Sequence, residues 1–203
     1  PCTTAPARAR GGSAARARNA QQMSSISAPP RPFRVLLVWP KFPPSFWSWQ
    51  ATVEAVGRKA TIPPLGLITV AAMCPSHWDL RLIDEADRPV SDKDLAWCDL
   101  VMISSMEIQR DAVATLAHRA RDAGKRTVIG GPYAASHTPE LSLICDHVVS
   151  GEVEEHFADL ARALEFGTAE PVYLFTDKPD VTKTPKPRYD LLNMKAYTAM
   201  SVQ

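Results

Sequence analysis

Asp99–Gly131, DLVMISSMEIQRDAVATLAHRARDAGKRTVIGG, is the stretch whose reading decides the fold. It opens on Asp99–Ser104, a run of strand length that is apolar at successive rather than alternate positions. Such a run suits a strand covered on both faces of a parallel sheet. Glu107–Ala123 then reads as a helix, with Ile108, Ala112, Leu116 and Ala120 on one face and Gly124 as its stop. A second apolar run, Arg126–Gly130, follows at once and closes a strand–helix–strand unit.

The same texture extends outward. Phe33–Trp39, Trp78–Asp84 and His147–Ser150 are further strand-length runs rich in Val, Ile and Leu. Helix-like segments lie between them: Pro64–Met73, where Pro63 and Pro64 suit a helix start; Thr138–Cys145; and Glu152–Phe166, with acids in its first turn and Gly167 as its stop. The alternation predicts an α/β, doubly wound, five-stranded parallel sheet, Rossmann-like, with the flavodoxin-type strand order 2-1-3-4-5. Ligands of such sheets bind at the carboxyl ends of the strands.

Three regions follow. Residues 1–32 form an Arg/Ala/Pro-rich tail expected to be disordered, since too few apolar side chains offset the entropy of ordering it. Its acid-free, Arg- and Ser-containing composition also resembles an organellar transit peptide. Residues 33–167 form the sheet domain. Residues 168–203 read as an extended, proline-rich C-terminal connector, followed by a new element beginning near Met200; the chain therefore reads as a fragment.

The net charge of +1 hides an asymmetry. Residues 1–34 carry six arginines and no acid, leaving 17 basic against 22 acidic residues in the remainder. A mildly acidic folded part argues against a nucleic-acid partner. There is no run of the ~20 apolar residues that a membrane span needs, and the reading is cytoplasmic. Cys2, Cys74, Cys98 and Cys145 are scattered, without the spacing of a zinc, dithiol or iron–sulfur site. They read as buried thiols in a reducing compartment.

The candidate chemistry lies in the loops leaving the strand ends. The first is long, aromatic and proline-stiffened (Pro40–Trp49, running on to Ile62–Gly66). It suits either an apolar floor for a large flat ligand or an interdomain contact. The third strand ends in Ser104–Ser105–Met106–Glu107–Ile108–Gln109, where the serines can cap the next helix, let a ligand approach the backbone, or both. The fourth ends in Gly130–Gly131–Pro132–Tyr133 and the fifth in Ser150–Gly151–Glu152. Three successive strand ends stripped of bulk form a groove. No G-x-G-x-x-G, Walker lysine, receiver-type acidic set or Ser/His or Cys/His triad is present. Of five histidines only His137 falls near the groove.

Pro64–Leu65–Gly66–Leu67, Ile83–Asp84, Gly130–Gly131–Pro132–Tyr133, Gly151–Glu152–Val153–Glu154 and Pro185–Leu192 together resemble the N-terminal cobalamin-binding domain of cobalamin-dependent radical S-adenosylmethionine proteins. The likeness is to the subgroup to which hopanoid-modifying methylases are related, and it covers about residues 33–203. It implies cobalamin as cofactor, held at Pro64, Leu65, Gly66, Ser104, Ser105, Met106, Gln109, Gly130, Gly131, Pro132, Tyr133, Gly151 and Glu152. It also implies a methyltransferase-like parent in which a radical barrel of the same chain binds a [4Fe–4S] cluster, S-adenosylmethionine and a small-molecule or lipid-like substrate. Two departures stand out. The D-x-H-x-x-G motif that supplies a histidine to cobalt is absent, which implies a form with neither that histidine nor benzimidazole on cobalt. The family's cluster-binding cysteines would follow a strand starting near Met200, so no residue here ligates a metal and the chain by itself is not catalytic. The competing expectation is a non-catalytic docking module with a vestigial groove.

Overall fold

The computed structural model describes residues 31–44 and 50–200. The tail up to residue 30, the tip of the first loop and the element expected beyond Met200 lie outside them. Six strands, β1 (Arg34–Trp39), β2 (Asp79–Asp84), β3 (Leu100–Ser104), β4 (Arg126–Gly130), β5 (His147–Ser150) and β6 (Val172–Leu174), form one parallel sheet in the order β2-β1-β3-β4-β5-β6. The five expected strands are present in the expected order. The sheet has six strands rather than five, because Val172–Leu174, within the segment read as a connector, pairs with Val148–Ser150.

The apolar runs are explained by cover on both faces. Val35 and Leu37 of β1, Met102, Val128 and Val149 point to one face, under helices α2 (Leu65–Met73) and α7 (Phe157–Phe166). A short helix α1 (Gln50–Ala55) precedes α2. Leu36, Val38, Val101, Ile103, Ile129 and Val148 point to the other face, under α3 (Asp92–Trp97), α4 (Arg110–Asp122), α5 (Pro132–Ser136) and α6 (Thr138–Leu141). Each fully buried Val, Leu or Ile contributes about 1.5–3 kcal/mol, far more than an exposed ion pair. The sandwich therefore rests on these two apolar layers.

Three helix readings are corrected. Glu107–Gln109 is a 3-10 turn and the α-helix starts at Arg110. The tighter turn shifts the phase, so Ile108 is 52% exposed while Val113, Leu116, Ala117 and Ala120 are buried. The last helix starts at Phe157 rather than Glu152, because the chain bends at Gly151 on the rim of a cavity and then makes a turn in which His156 N donates to Val153 O at 2.9 Å. Between β2 and β3, where none of the expected helices falls, a capped helix, α3, forms. One connection runs against the usual hand. α7 lies on the α2 face, yet β5 to β6 steps along the sheet in the direction opposite to β1 to β2. Its hand is therefore opposite to that of the other four connections, in a class where right-handedness holds about 98% of the time.

Candidate functional site

The two helices of the α2 face leave the centre of the sheet uncovered, and a cavity of about 370 Å³ opens there over the carboxyl ends of β3, β4 and β5. Leu67, Val70 and Met73 of α2 form one wall, and Phe157, Leu160 and Leu164 of α7 the other. Met102, Val128 and Val149 form the floor. The mouth is rimmed by Ser104, Gly130–Pro132 and Gly151–Glu154. Register explains the low rim: Ser104 pairs with Gly130 and Ser150 with Leu174, so the ends of adjacent strands lie level.

Two rim glycines are required by close packing. Gly131 has φ +85°, and a Cβ there would lie 2.7 Å from Ser104 Oγ and 3.4 Å from the Ser105 backbone. Gly151 has φ +100°, and its Cβ would collide with the Phe175 carbonyl, which leads away from β6. Gly151 is thus small because the chain's own backbone crosses it. Gly130, by contrast, meets only Val149 O at 3.7 Å.

Gly66, Ser104, Gly130, Gly131, Pro132, Gly151 and Glu152, singled out from sequence, line the cavity together. Pro64, Leu65, Ser105, Met106, Gln109 and Tyr133 do not line it. Pro64 precedes α2 as its N-cap. Ser105 is fully buried, and its carbonyl accepts from Tyr133 N at 3.1 Å. Gln109, 1% exposed, is a structural clamp: its Oε1 accepts from Met106 N at 2.8 Å and its Nε2 donates to the Pro40 carbonyl, tying the third loop to the first. Met106 is 46% exposed. Tyr133 packs on His137, whose Nδ1 lies 2.8 Å from Ser136 Oγ, outside the cavity lining.

Sequence reasoning missed Thr69, Val153 and Glu154. Thr69 is buried in α2 with Oγ1 donating to Leu65 O at 2.9 Å; a lone hydroxyl in an otherwise apolar helix was the available signal. Glu154 Oε2 is buried and has no hydrogen-bond partner. The repeated acid of Gly151–Glu152–Val153–Glu154 pointed to it.

Among the described residues, nucleophilic chemistry has no support at the cysteines. Burial pushes the Cys98 and Cys145 thiols up to about 11 and Cys74 up to about 12, so all three stay protonated at neutral pH. Among the described residues no three His, Cys, Asp or Glu side chains converge as a metal site. No helix among them is long and apolar enough to cross a membrane. What the arrangement offers is a preformed apolar slot with a few polar groups, the usual form of a small-molecule or cofactor site.

The chain is 43% identical over 171 residues to an uncharacterized methyltransferase of Synechocystis, covering 84% of this chain and 32% of that protein. It is 31% identical over 175 residues to the hopanoid C-2 methylase of Rhodopseudomonas palustris, covering 84% and 33%. Its relatives are methyltransferases. A third, the bacteriochlorophyllide d C-12(1)-methyltransferase of Chlorobaculum tepidum, is 32% identical over 151 residues, covering 74% of this chain and 31% of that one. The chain spans about a third of the length of these methyltransferase relatives. No family model matches it.

Proposed function

We propose that this chain is the cobalamin-binding part of a radical S-adenosylmethionine methyltransferase and holds the nucleotide tail of the cofactor in the cavity between α2 and α7. The observation that carries this reading is the cavity itself, preformed at the carboxyl ends of β3–β5 in a doubly wound sheet. The residues fit such a ligand. At about 370 Å³ the slot is near the small end of cofactor pockets and suits a slender tail rather than a whole macrocycle. Its apolar walls suit a flat heteroaromatic base. Its rim is low at Gly130 and Gly131, where the bulkier part of the ligand would rest.

When bound, cobalamin supplies a transferable methyl group. The chain's own residues bind and orient. Leu67, Val70 and Phe157 exclude water from the tail, and Gly131–Pro132 form a stiff lip. In this reading a radical barrel in the rest of the protein carries the [4Fe–4S] cluster and S-adenosylmethionine and meets the small-molecule or lipid-like substrate. A second reading, a docking module with a vestigial groove, is favoured by Ile62, Met106 and Ile108, which are 55%, 46% and 52% exposed in the loops after β1 and β3.

Gel filtration with hydroxocobalamin separates the two. Corrin absorbance is expected to co-elute with the folded protein and to be lost in Val70→Trp, which fills the cavity from α2 without touching strained backbone. Gly131→Leu is expected to behave likewise, with far-UV circular dichroism checking its fold. Absorbance absent from the folded wild type, or unaffected by Val70→Trp, favours the docking module.

A further inference from the structure

One edge of the sheet is β6, and its two faces are finished differently. Tyr173 and Phe175 pack with Val149 on the α7 side. Val172 is in register with Val148, so it and Leu174 turn to the opposite face. Because the connection into β6 crosses on the α7 side, no helix among the described residues covers these two, and they are 37% and 66% exposed. The backbone is equally open. Val148 N donates to Pro171 O and Phe175 N to Ser150 O, both at 2.8 Å, so residues 171, 173 and 175 direct their backbone polar groups at β5. The alternation of a parallel ladder leaves the N–H and C=O of Val172 and Leu174 pointing outward, and no strand among the described residues pairs with them. Exposed apolar side chains on an unpaired edge are a template for a further strand.

We propose that β6 is an interaction edge for a second copy of this chain, the two β6 strands pairing antiparallel about a two-fold axis at Tyr173. Two outward donor–acceptor pairs, two residues apart, are self-complementary in that arrangement: Val172 of each copy exchanges both backbone bonds with Leu174 of the other. Their side chains then lie opposite one another on the bare face, and each shields its neighbour from water. Charge fits the same pairing. Glu170 precedes the strand and Lys178 follows it, both exposed. An antiparallel partner brings the acid of one copy toward the lysine of the other, twice. The other acids after β6 are engaged within the chain: Asp177 Oδ2 lies 3.2 Å from His156 Nε2, and Asp180 Oδ2 3.5 Å from Lys183 Nζ. The strand is only three residues long, so the dimer it makes is weak and concentration-dependent.

The test is sedimentation velocity of the chain at low salt over a wide concentration range. The sedimentation coefficient is expected to rise with concentration toward that of a dimer. Leu174→Lys, which places a charge on the edge, is expected to weaken the association by at least about tenfold. Val56→Lys, at an apolar residue 60% exposed before α2, is expected to leave it unchanged. Glu170→Lys and Lys178→Glu are each expected to weaken it alone, and their equimolar mixture to recover it, because in the mixed pair every lysine again meets an acid. Far-UV circular dichroism confirms the fold of each variant, and the two exposed charge variants keep the test decisive should Leu174→Lys unfold. A chain that stays monomeric throughout overturns the proposal and leaves the edge to another occupant. A dimer indifferent to Leu174→Lys, or a mixture no tighter than its components, overturns the β6 pairing.

Discussion

Gly131 and Gly151 both sit at positive φ, but what faces them differs in kind. At Gly131 the nearest obstacle to a Cβ is a side-chain oxygen, Ser104 Oγ at 2.7 Å; at Gly151 it is the Phe175 backbone carbonyl. A hydroxyl can rotate away, whereas a carbonyl moves only with its strand. Gly131→Ala is therefore expected to cost about 1–3 kcal/mol, mainly backbone strain, and Gly151→Ala more, because it must displace the chain after β6. In Ser104→Ala the Gly131→Ala loss is expected to shrink by at least about 0.5 kcal/mol, the usual scale of coupling between touching residues. Urea unfolding of the four proteins measures this, and strict additivity would show that the hydroxyl contact is immaterial. The glycine pairs could be seen in the sequence. Which glycine faces a ligand and which faces the chain could not, since the crossing of Phe175 over Gly151 is set by a strand more than twenty residues away.

Helix α3 shows an element held by its N-terminal end. Ser91 Oγ accepts from Asp94 N at 3.3 Å, and Asp94 Oδ2 accepts from Ser91 N at 2.9 Å, a reciprocal capping box. Arg88 donates two further bonds to Asp94, at 2.8 and 3.0 Å. The Arg88 hydrogen bonds, reinforced by Ser91, hold the Asp94 carboxyl well below the usual carboxylate range. Ser91→Ala is expected to cost about 1 kcal/mol. Because the folded carboxyl is depressed, its contribution is full above the unfolded value of about 3.9 and fades as pH falls below it. The stability gap between wild type and Asp94→Asn, followed by urea midpoints, is therefore expected to hold from pH 7 to about 5 and to narrow by pH 3. A gap independent of pH would remove the charge from the account. Helices α4 and α7 carry the complementary lesson. Their existence was plain from periodicity, but their starts were not. The 3-10 turn at Glu107–Gln109 and the non-helical rim at Gly151–Glu154 are imposed by the loops they serve.

On the scale of the whole molecule, the segment from Arg188 to Ala199 straps back over the first half of the chain. Arg188 N donates to Ile68 O at 3.0 Å, Lys59 N and Ala60 N to Ala196 O at 2.8 and 3.0 Å, and Thr198 N to Ala60 O at 3.1 Å. Its anchor is buried: Tyr197 OH donates to Asp84 Oδ2 at 2.9 Å, at the end of β2. Burial raises the Asp84 carboxyl above its ordinary value, against the opposing hydrogen bonds from Ala86 and Tyr197. The folded state thus holds this proton more tightly than the unfolded one, and stability falls as pH rises between the two values. Tyr197→Phe removes a donor to the ionised form and lifts the carboxyl further. Its loss, about 1–3 kcal/mol at neutral pH, is expected to be smaller at pH 5, as read by urea unfolding at the two pH values. A larger loss at pH 5 would mean that Asp84 is not the group involved. The sequence by itself determined the doubly wound sheet, its strand order and the small residues at three strand ends, because doubly covered strands and helix periodicity are local patterns that hydrophobic burial enforces along the chain. Only the tertiary structure decided the sixth strand, the reversed hand of its connection, the strap onto Asp84 and the cavity left between α2 and α7. Each of these depends on which distant backbone comes to lie beside which, and no short-range pattern of residues encodes that proximity.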